Sequence, residues 1–132
     1  MVRLLLDTHI ALWAVIDQQR LTPGAAAMIV DPDNDVRVSI VSLWEIAIKN
    51  SLPARRRGVG ISAAEALELF VATRLALHPL EARHVTTLET LHLSEGDPFD
   101  RLLLAQAMAD GMIFMTHDAQ IARFGGESVL FV

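Results

Sequence analysis

Residues 97–118 read Asp97-Pro98-Phe99-Asp100-Arg101-Leu102-Leu103-Leu104-Ala105-Gln106-Ala107-Met108-Ala109-Asp110-Gly111-Met112-Ile113-Phe114-Met115-Thr116-His117-Asp118. Asp97 suits a helix N-cap, and Pro98 suits the first helical position, where its missing N–H is not needed. The spacing predicts a helix over Pro98–Ala109, ended by Gly111. Met112–Thr116 then runs apolar without alternation, as a strand covered on both faces does. A helix feeding directly into such a strand is half of a crossover in a parallel sheet.

The rest of the chain repeats that grammar. Val2–Leu6 predicts a buried strand, followed by a helix over Ile10–Ile16. Thr22-Pro23-Gly24 opens a helix through Ala25–Val30, and the polar run Asp31–Asp35 stops it. Val36–Val41 is β-branched and predicts a second strand. Ser42-Leu43-Trp44-Glu45 reads as a capping box opening a helix to about Asn50. Ser62-Ala63-Ala64-Glu65 reads as another, with its helix reaching about Arg74. Ala76–His78 suits a short strand, Glu81–Leu91 a helix, Ala119–Arg123 a helical turn and Val129–Phe131 a last strand. The expected fold is α/β: one three-layer domain over residues 1–132 with a central parallel sheet.

The 132 residues are 52% hydrophobic and 20% charged, which excludes a disordered chain. Cysteine is absent, excluding a disulfide scaffold, a thiolate metal site and a Cys nucleophile, and fitting a reducing cytosol. Asp7 breaks the apolar start before a signal segment forms, and no apolar run approaches the roughly 18 residues of a membrane span. The net charge is −5. Residues 1–66 carry seven basic and seven acidic side chains, whereas residues 67–132 carry four and nine. A nucleic-acid partner ordinarily asks for a basic footprint, so this regional acidity needs a cause.

The positions of the carboxylates supply one. Ligands of a parallel sheet bind beyond the carboxyl ends of its strands. Asp7 directly follows the first strand. Glu45 lies in the first turn after the second, Asp118 follows the Met112–Thr116 strand, and Asp97 and Asp100 open a helix. Each has a local use, Asp7, Asp97 and Asp118 as caps, Glu45 within its box, Asp100 at a positive helix end. Caps have no reason to gather at one sheet edge, and gathered like charges repel unless a cation lies among them. Oxygen donors without sulfur suit Mg²⁺ or Mn²⁺. Two such ions roughly 4 Å apart are a common device for phosphodiester cleavage. Asp7, Glu45, Asp100 and Asp118 together account for four of the five net negative charges.

Other polar residues stay open between two uses. His9 and His117 flank Asp7 and Asp118 as ligands or as supporting or surface residues. Lys49 with Arg55, Arg56 and Arg57 would grip phosphates or form a solvated basic loop. Arg101 would orient a carboxylate, contact a phosphate, or form a surface salt bridge. Trp13 and Trp44, beside apolar neighbours on helices, read as core.

Leu5-Leu6-Asp7-Thr8-His9 with Leu12-Trp13 resembles the opening of PIN-domain ribonucleases, in particular VapC-type toxins of bacterial toxin–antitoxin pairs. Ser42-Leu43-Trp44-Glu45-Ile46-Ala47-Ile48-Lys49 resembles their second motif. Asp97-Pro98-Phe99-Asp100-Arg101-Leu102-Leu103 with Ala105-Gln106-Ala107 resembles the third, the most specific, and Thr116-His117-Asp118 the fourth. The resemblance spans nearly the whole chain in order. It implies a Rossmann-like α/β/α PIN domain whose Asp7, Glu45, Asp100 and Asp118 are catalytic and bind the metal, with Asp97, Thr8, Thr116 and Arg101 supporting. It implies an RNA substrate cut by a metal-activated water, a Mg²⁺ (or Mn²⁺) cofactor, a homodimer, a VapB-like antitoxin, a cytoplasmic location and no direct DNA binding by this chain. The helix over residues 62–74 is the expected partner surface. Relatives often carry a His pair where Ser94-Glu95-Gly96 stands here. Two rival readings remain. A phosphatase of dehalogenase type would need a second Asp where His9 stands, and a receiver domain would need a phosphorylated Asp where the third strand ends in His78-Pro79. A non-catalytic PIN-like binding module would not need all four acids.

Overall fold

The structure is a computed structural model that describes residues 1–53, 60–92 and 96–132. β1 (Arg3–Leu6) carries three fully buried leucines and lies at the centre of a five-stranded sheet. The other strands are β2 (Asp35–Ser39), β3 (Ala76–His78), β4 (Ile113–Thr116) and β5 (Val129–Phe131), in spatial order β3-β2-β1-β4-β5. All four pairings are parallel, with Leu5 opposite Arg37 on one side and Phe114 on the other. The helices are α1 (Thr8–Ile16), α2 (Pro23–Val30), α3 (Ile40–Asn50), α4 (Ala63–Ala72), α5 (Ala82–Thr90), α6 (Pro98–Ala109) and α7 (Ala119–Gly125).

Successive residues of a strand point to opposite faces. Leu4 and Leu6 therefore pack with Ile10, Ala25, Ala66 and Phe70 from α1, α2 and α4. Leu5 packs with Leu103, Leu104, Phe114 and Ile121 on the α6 and α7 side. Both faces are covered, which is why the strands read as unbroken apolar runs. Among the described residues no helix is long and apolar enough to cross a membrane.

Most expected elements stand within two residues of their predicted ends, and the Ser62/Glu65 capping box forms with both of its bonds. One junction differs. The second strand ends at Ser39, and Ser39, not Ser42, caps α3 by accepting the Val41 N–H at 2.9 Å. The Ser39 hydroxyl also donates to Gln106 Oε1 at 2.5 Å, anchoring the cap to α6. The Ser42–Glu45 capping box is thus corrected. Both residues lie on the buried face of α3, one turn inside the helix.

The sheet order places the functional edge. The chain leaves β1 toward β2 and β3, then returns across the sheet to β4 and β5. Between β1 and β4 the connections depart in opposite directions, opening a crevice at their carboxyl ends. Asp7 and Asp118 lie there.

Candidate active site

Asp7 ends β1 and caps α1. Its Oδ1 accepts the Ile10 N–H at 2.8 Å. Its Oδ2 accepts the Thr116 hydroxyl at 2.6 Å and the His117 N–H at 3.3 Å. Thr116 Oγ1 in turn accepts the Asp118 N–H at 3.0 Å. This relay orients Asp7 from the neighbouring strand. Asp118 caps α7, taking the Gln120 and Ile121 N–H groups at 2.9 and 3.3 Å. Burial pushes the Asp7 carboxyl above its usual range, against the bonds from Thr116, Ile10 and His117.

Glu45 reaches the same region from α3. The Thr8 hydroxyl donates to its Oε1 at 2.6 Å and accepts from the Ser42 hydroxyl at 2.9 Å. Ser42, read from sequence only as a cap, is a buried orienter of Thr8. Lys49 Nζ donates to Glu45 Oε2 at 2.6 Å. Burial works against the Lys49 charge, yet the bond to Glu45 and the charges of Asp97 and Asp100 outweigh it and hold the ammonium above its usual range.

Asp100 lies in the first turn of α6, behind Asp97, which caps that helix through the Phe99 N–H at 2.7 Å. The Asp100 carboxyl is pushed up to about 7, first by burial, then by Asp97, Asp7, Glu45 and Asp118. The five acids, taken from four stretches of sequence, thus act on one another in space. Asp7, Asp100 and Asp118 line a cleft of about 480 Å³ with His9, Trp13, His117 and Ala119.

The cleft wall revises two aromatic assignments. Trp13 packs partly on the core but faces the cleft, with the Arg20 guanidinium 5.9 Å from its ring and His117 edge-on at 5.8 Å. Trp44 is 51% exposed and meets Phe99 edge to face at 4.8 Å. Because α3 begins at Ile40, its inner face is Val41, Ser42, Glu45 and Ile46, which turns Trp44 outward. His117 stacks on Phe131 at 5.5 Å and donates Nδ1–H to the Val132 carbonyl at 2.5 Å. Arg101 is half-buried on α6. Arg55, Arg56 and Arg57, and Ser94 and Glu95, lie outside the described residues.

A second polar cluster was not foreseen. Asp110 Oδ2 meets His78 Nε2 at 2.5 Å and His84 Nε2 at 2.8 Å, and Arg83 holds Oδ1. These three potential ligand groups lie within 4.8 Å of one another. Their hydrogen bonds argue for a structural role. His84 Nδ1 accepts the Glu81 N–H at 3.0 Å, so the imidazole proton is on Nε2 and points at Asp110. A metal on Nε2 would force that proton onto Nδ1, against the Glu81 donor.

The oxygen donors of the cleft are of the kind that suits a hard divalent cation, which would relieve the raised Asp7 and Asp100 carboxyls, while the described residues whose ligand atoms already lie within 4.8 Å of one another are His78, His84 and Asp110. Metal binding should then release a proton from Asp100. With its carboxyl near 7, Mg²⁺ affinity at pH 6 is expected to be about tenfold weaker than at pH 8. Calorimetry in buffers of different ionisation enthalpy reads both quantities. Binding with no proton uptake by the buffer would contradict the expectation.

A model of the PIN domain family matches residues 4–127, a span that includes all five acids. No curated protein matches the sequence. Among solved structures, the crystal structure of VapBC2 from Rickettsia felis bound to a DNA fragment from its promoter contains a chain of similar fold. The two align over 99% of this chain and 98% of that one, with a TM-score of 0.68 and 16% identity.

Proposed function

This chain belongs to the PIN domain family, and on that premise we propose that it is a Mg²⁺-dependent endoribonuclease, with Mn²⁺ an alternative ion, acting as the toxin of a toxin–antitoxin pair in the cytoplasm. The domain would span residues 1–132. The observation that supports the reading is the Asp100 carboxyl, held near 7 by burial and by four neighbouring carboxylates. Evolution keeps such repulsion where a cation or a proton is needed.

Asp7, Glu45, Asp100 and Asp118 would hold the metal. When bound, a divalent ion lowers the pKa of a water and offsets charge on the phosphate. The chain's own part is preorganisation. Thr116 and the Ile10 and His117 amides hold Asp7 in one orientation. Thr8 does the same for Glu45. His9, exposed at the cleft, would meet the RNA backbone, and Arg101 would orient a carboxylate or contact a phosphate. Arg55, Arg56 and Arg57 would add phosphate contacts. A VapB-like antitoxin and a second copy of the chain are the proposed protein partners. Exposed Val71 on α4 and Ile40, Trp44 and Ile48 on α3 offer them apolar surface.

The test is cleavage of total cellular RNA by the purified chain, read by sequencing the new ends. Discrete new ends are expected with Mg²⁺, vanishing in EDTA and returning with excess Mg²⁺. Cleavage that persists in EDTA would remove the metal from the reading. No new ends at any divalent concentration would remove the nuclease itself.

A further inference from the structure

Among the described residues, Lys49 is a cation ion-paired to one of the five acids of the site. Lys49 follows Glu45 by one turn of α3, so their side chains share a face. Their ion pair is not a surface pair. The Glu45 side chain is 3% exposed and that of Lys49 25%. An exposed pair at this spacing contributes only about 0.3–0.5 kcal/mol, because water competes for both charges. Here water is largely excluded, and Asp97 and Asp100 act on the same ammonium. Both Glu45 oxygens are committed, Oε1 to the Thr8 hydroxyl and Oε2 to Lys49. The three acids that line the open cleft are Asp7, Asp100 and Asp118.

We propose that Lys49 is a built-in second cation of the acidic site: it holds Glu45, leaving Asp7, Asp100 and Asp118 to take a single divalent ion. The inference rests on the metal-site reading above and narrows it, from four acid ligands to three with Glu45 held by Lys49, and to one ion. The ammonium neutralises one carboxylate permanently and stands near enough to Asp97 and Asp100 to feel their charge. When RNA is bound it supplies positive charge toward the phosphate, where a two-ion site would use its second metal. Lys49 has three donors and spends one on Glu45, so it can engage a phosphate oxygen without leaving the pair.

The test compares the wild type with Lys49→Met, which keeps the apolar stem, and Lys49→Arg, which keeps the charge. Calorimetry and native mass spectrometry with Mn²⁺ alone read metal affinity and stoichiometry. The wild type is expected to bind one ion per chain. Lys49→Met frees Glu45 and removes a repelling charge, so divalent affinity should rise by about tenfold or more, or a second ion should bind. RNA cleavage should fall in the same variant, and Lys49→Arg should keep single-ion binding and most of the cleavage. Opposite signs for affinity and cleavage separate this role from a structural one, which would move the melting temperature and leave metal affinity alone. Two ions bound by the wild type would overturn the proposal. So would a folded Lys49→Met with unchanged or weaker metal binding. The metal measurements need no RNA. A chain that binds one ion and cuts no RNA would therefore uphold Lys49 and sink the nuclease reading.

Discussion

Asp100→Asn is expected to lower RNA cleavage by on the order of 10³-fold and, in metal-free buffer, to raise the melting temperature. The two effects have one cause. Asp100 is buried beside Asp97, Asp7, Glu45 and Asp118, and its carboxyl lies near 7. Without a cation the folded state strains to keep that group ionised. Because its folded pKa is above the unfolded value, stability falls as pH rises from about 3.9 and levels off above 7. Asn removes this slope, so the gain in melting temperature should be small at pH 3.5, below the unfolded pKa, intermediate at pH 5.5 and largest at pH 8. The loss of cleavage follows from removing a ligand of an ion whose charge stabilisation amounts to several kcal/mol, each 1.36 kcal/mol being tenfold in rate. Thermal scans at these three pH values and single-turnover cleavage read both. Retained cleavage in a folded Asp100→Asn protein would remove Asp100 from the site.

The largest effect on stability is expected far from the cleft. Asp110→Ala should cost about 3 kcal/mol, because the buried His78 and His84 lose their shared acceptor, the half-exposed Arg83 adding little. For a chain of this length that is roughly a 10 °C fall in melting temperature. Burial works against the Asp110 charge, but the bonds from His78, His84 and Arg83 hold its carboxyl below the usual range. The sign is therefore opposite to that of Asp100. The stabilisation is complete above the unfolded pKa of about 3.9 and is lost as pH falls through the folded value. Wild type and Asp110→Ala should converge in acid and diverge at neutral pH. Chemical denaturation at pH 3 and pH 7 decides the matter, and a constant difference would show that the ion network is not its source. RNA cleavage per folded molecule should change little.

Much of this architecture is readable without coordinates because its signals are local. Asp97, Pro98 and Gly111 bound α6 by backbone chemistry within a few residues, and Ser62 with Glu65 start α4 in the same way. The unbroken apolar runs around Leu5 and Phe114 reflect a sheet buried on both faces, and from them the parallel order followed. Asp7, Glu45 and Asp118 after strand ends pointed to one edge through the topology rule, and Asp100, which opens a helix that follows another helix, did so less directly.

Local signals mislead where two of them compete. Ser39 and Ser42 both suit an N-cap, and only Ser42 is followed three residues on by a Glu. Ser39 wins because its hydroxyl is held by Gln106 across the layer, 67 positions away. That three-residue shift rotates α3, exposes Trp44, buries Ser42 and aims Glu45 at Thr8. The Asp110 cluster was equally hidden, since His78, His84 and Asp110 come from three elements with no shared spacing.

Residue order alone was enough for the elements, their sequence and the identity of the acids, because caps, turns and periodicity act within a few residues of chain. The charges each acid feels, the commitment of Glu45 to Lys49 and the partners of Asp110 emerged only from the folded chain. Coulomb energy and desolvation depend on separation and burial in space, and neither is a function of distance along the sequence.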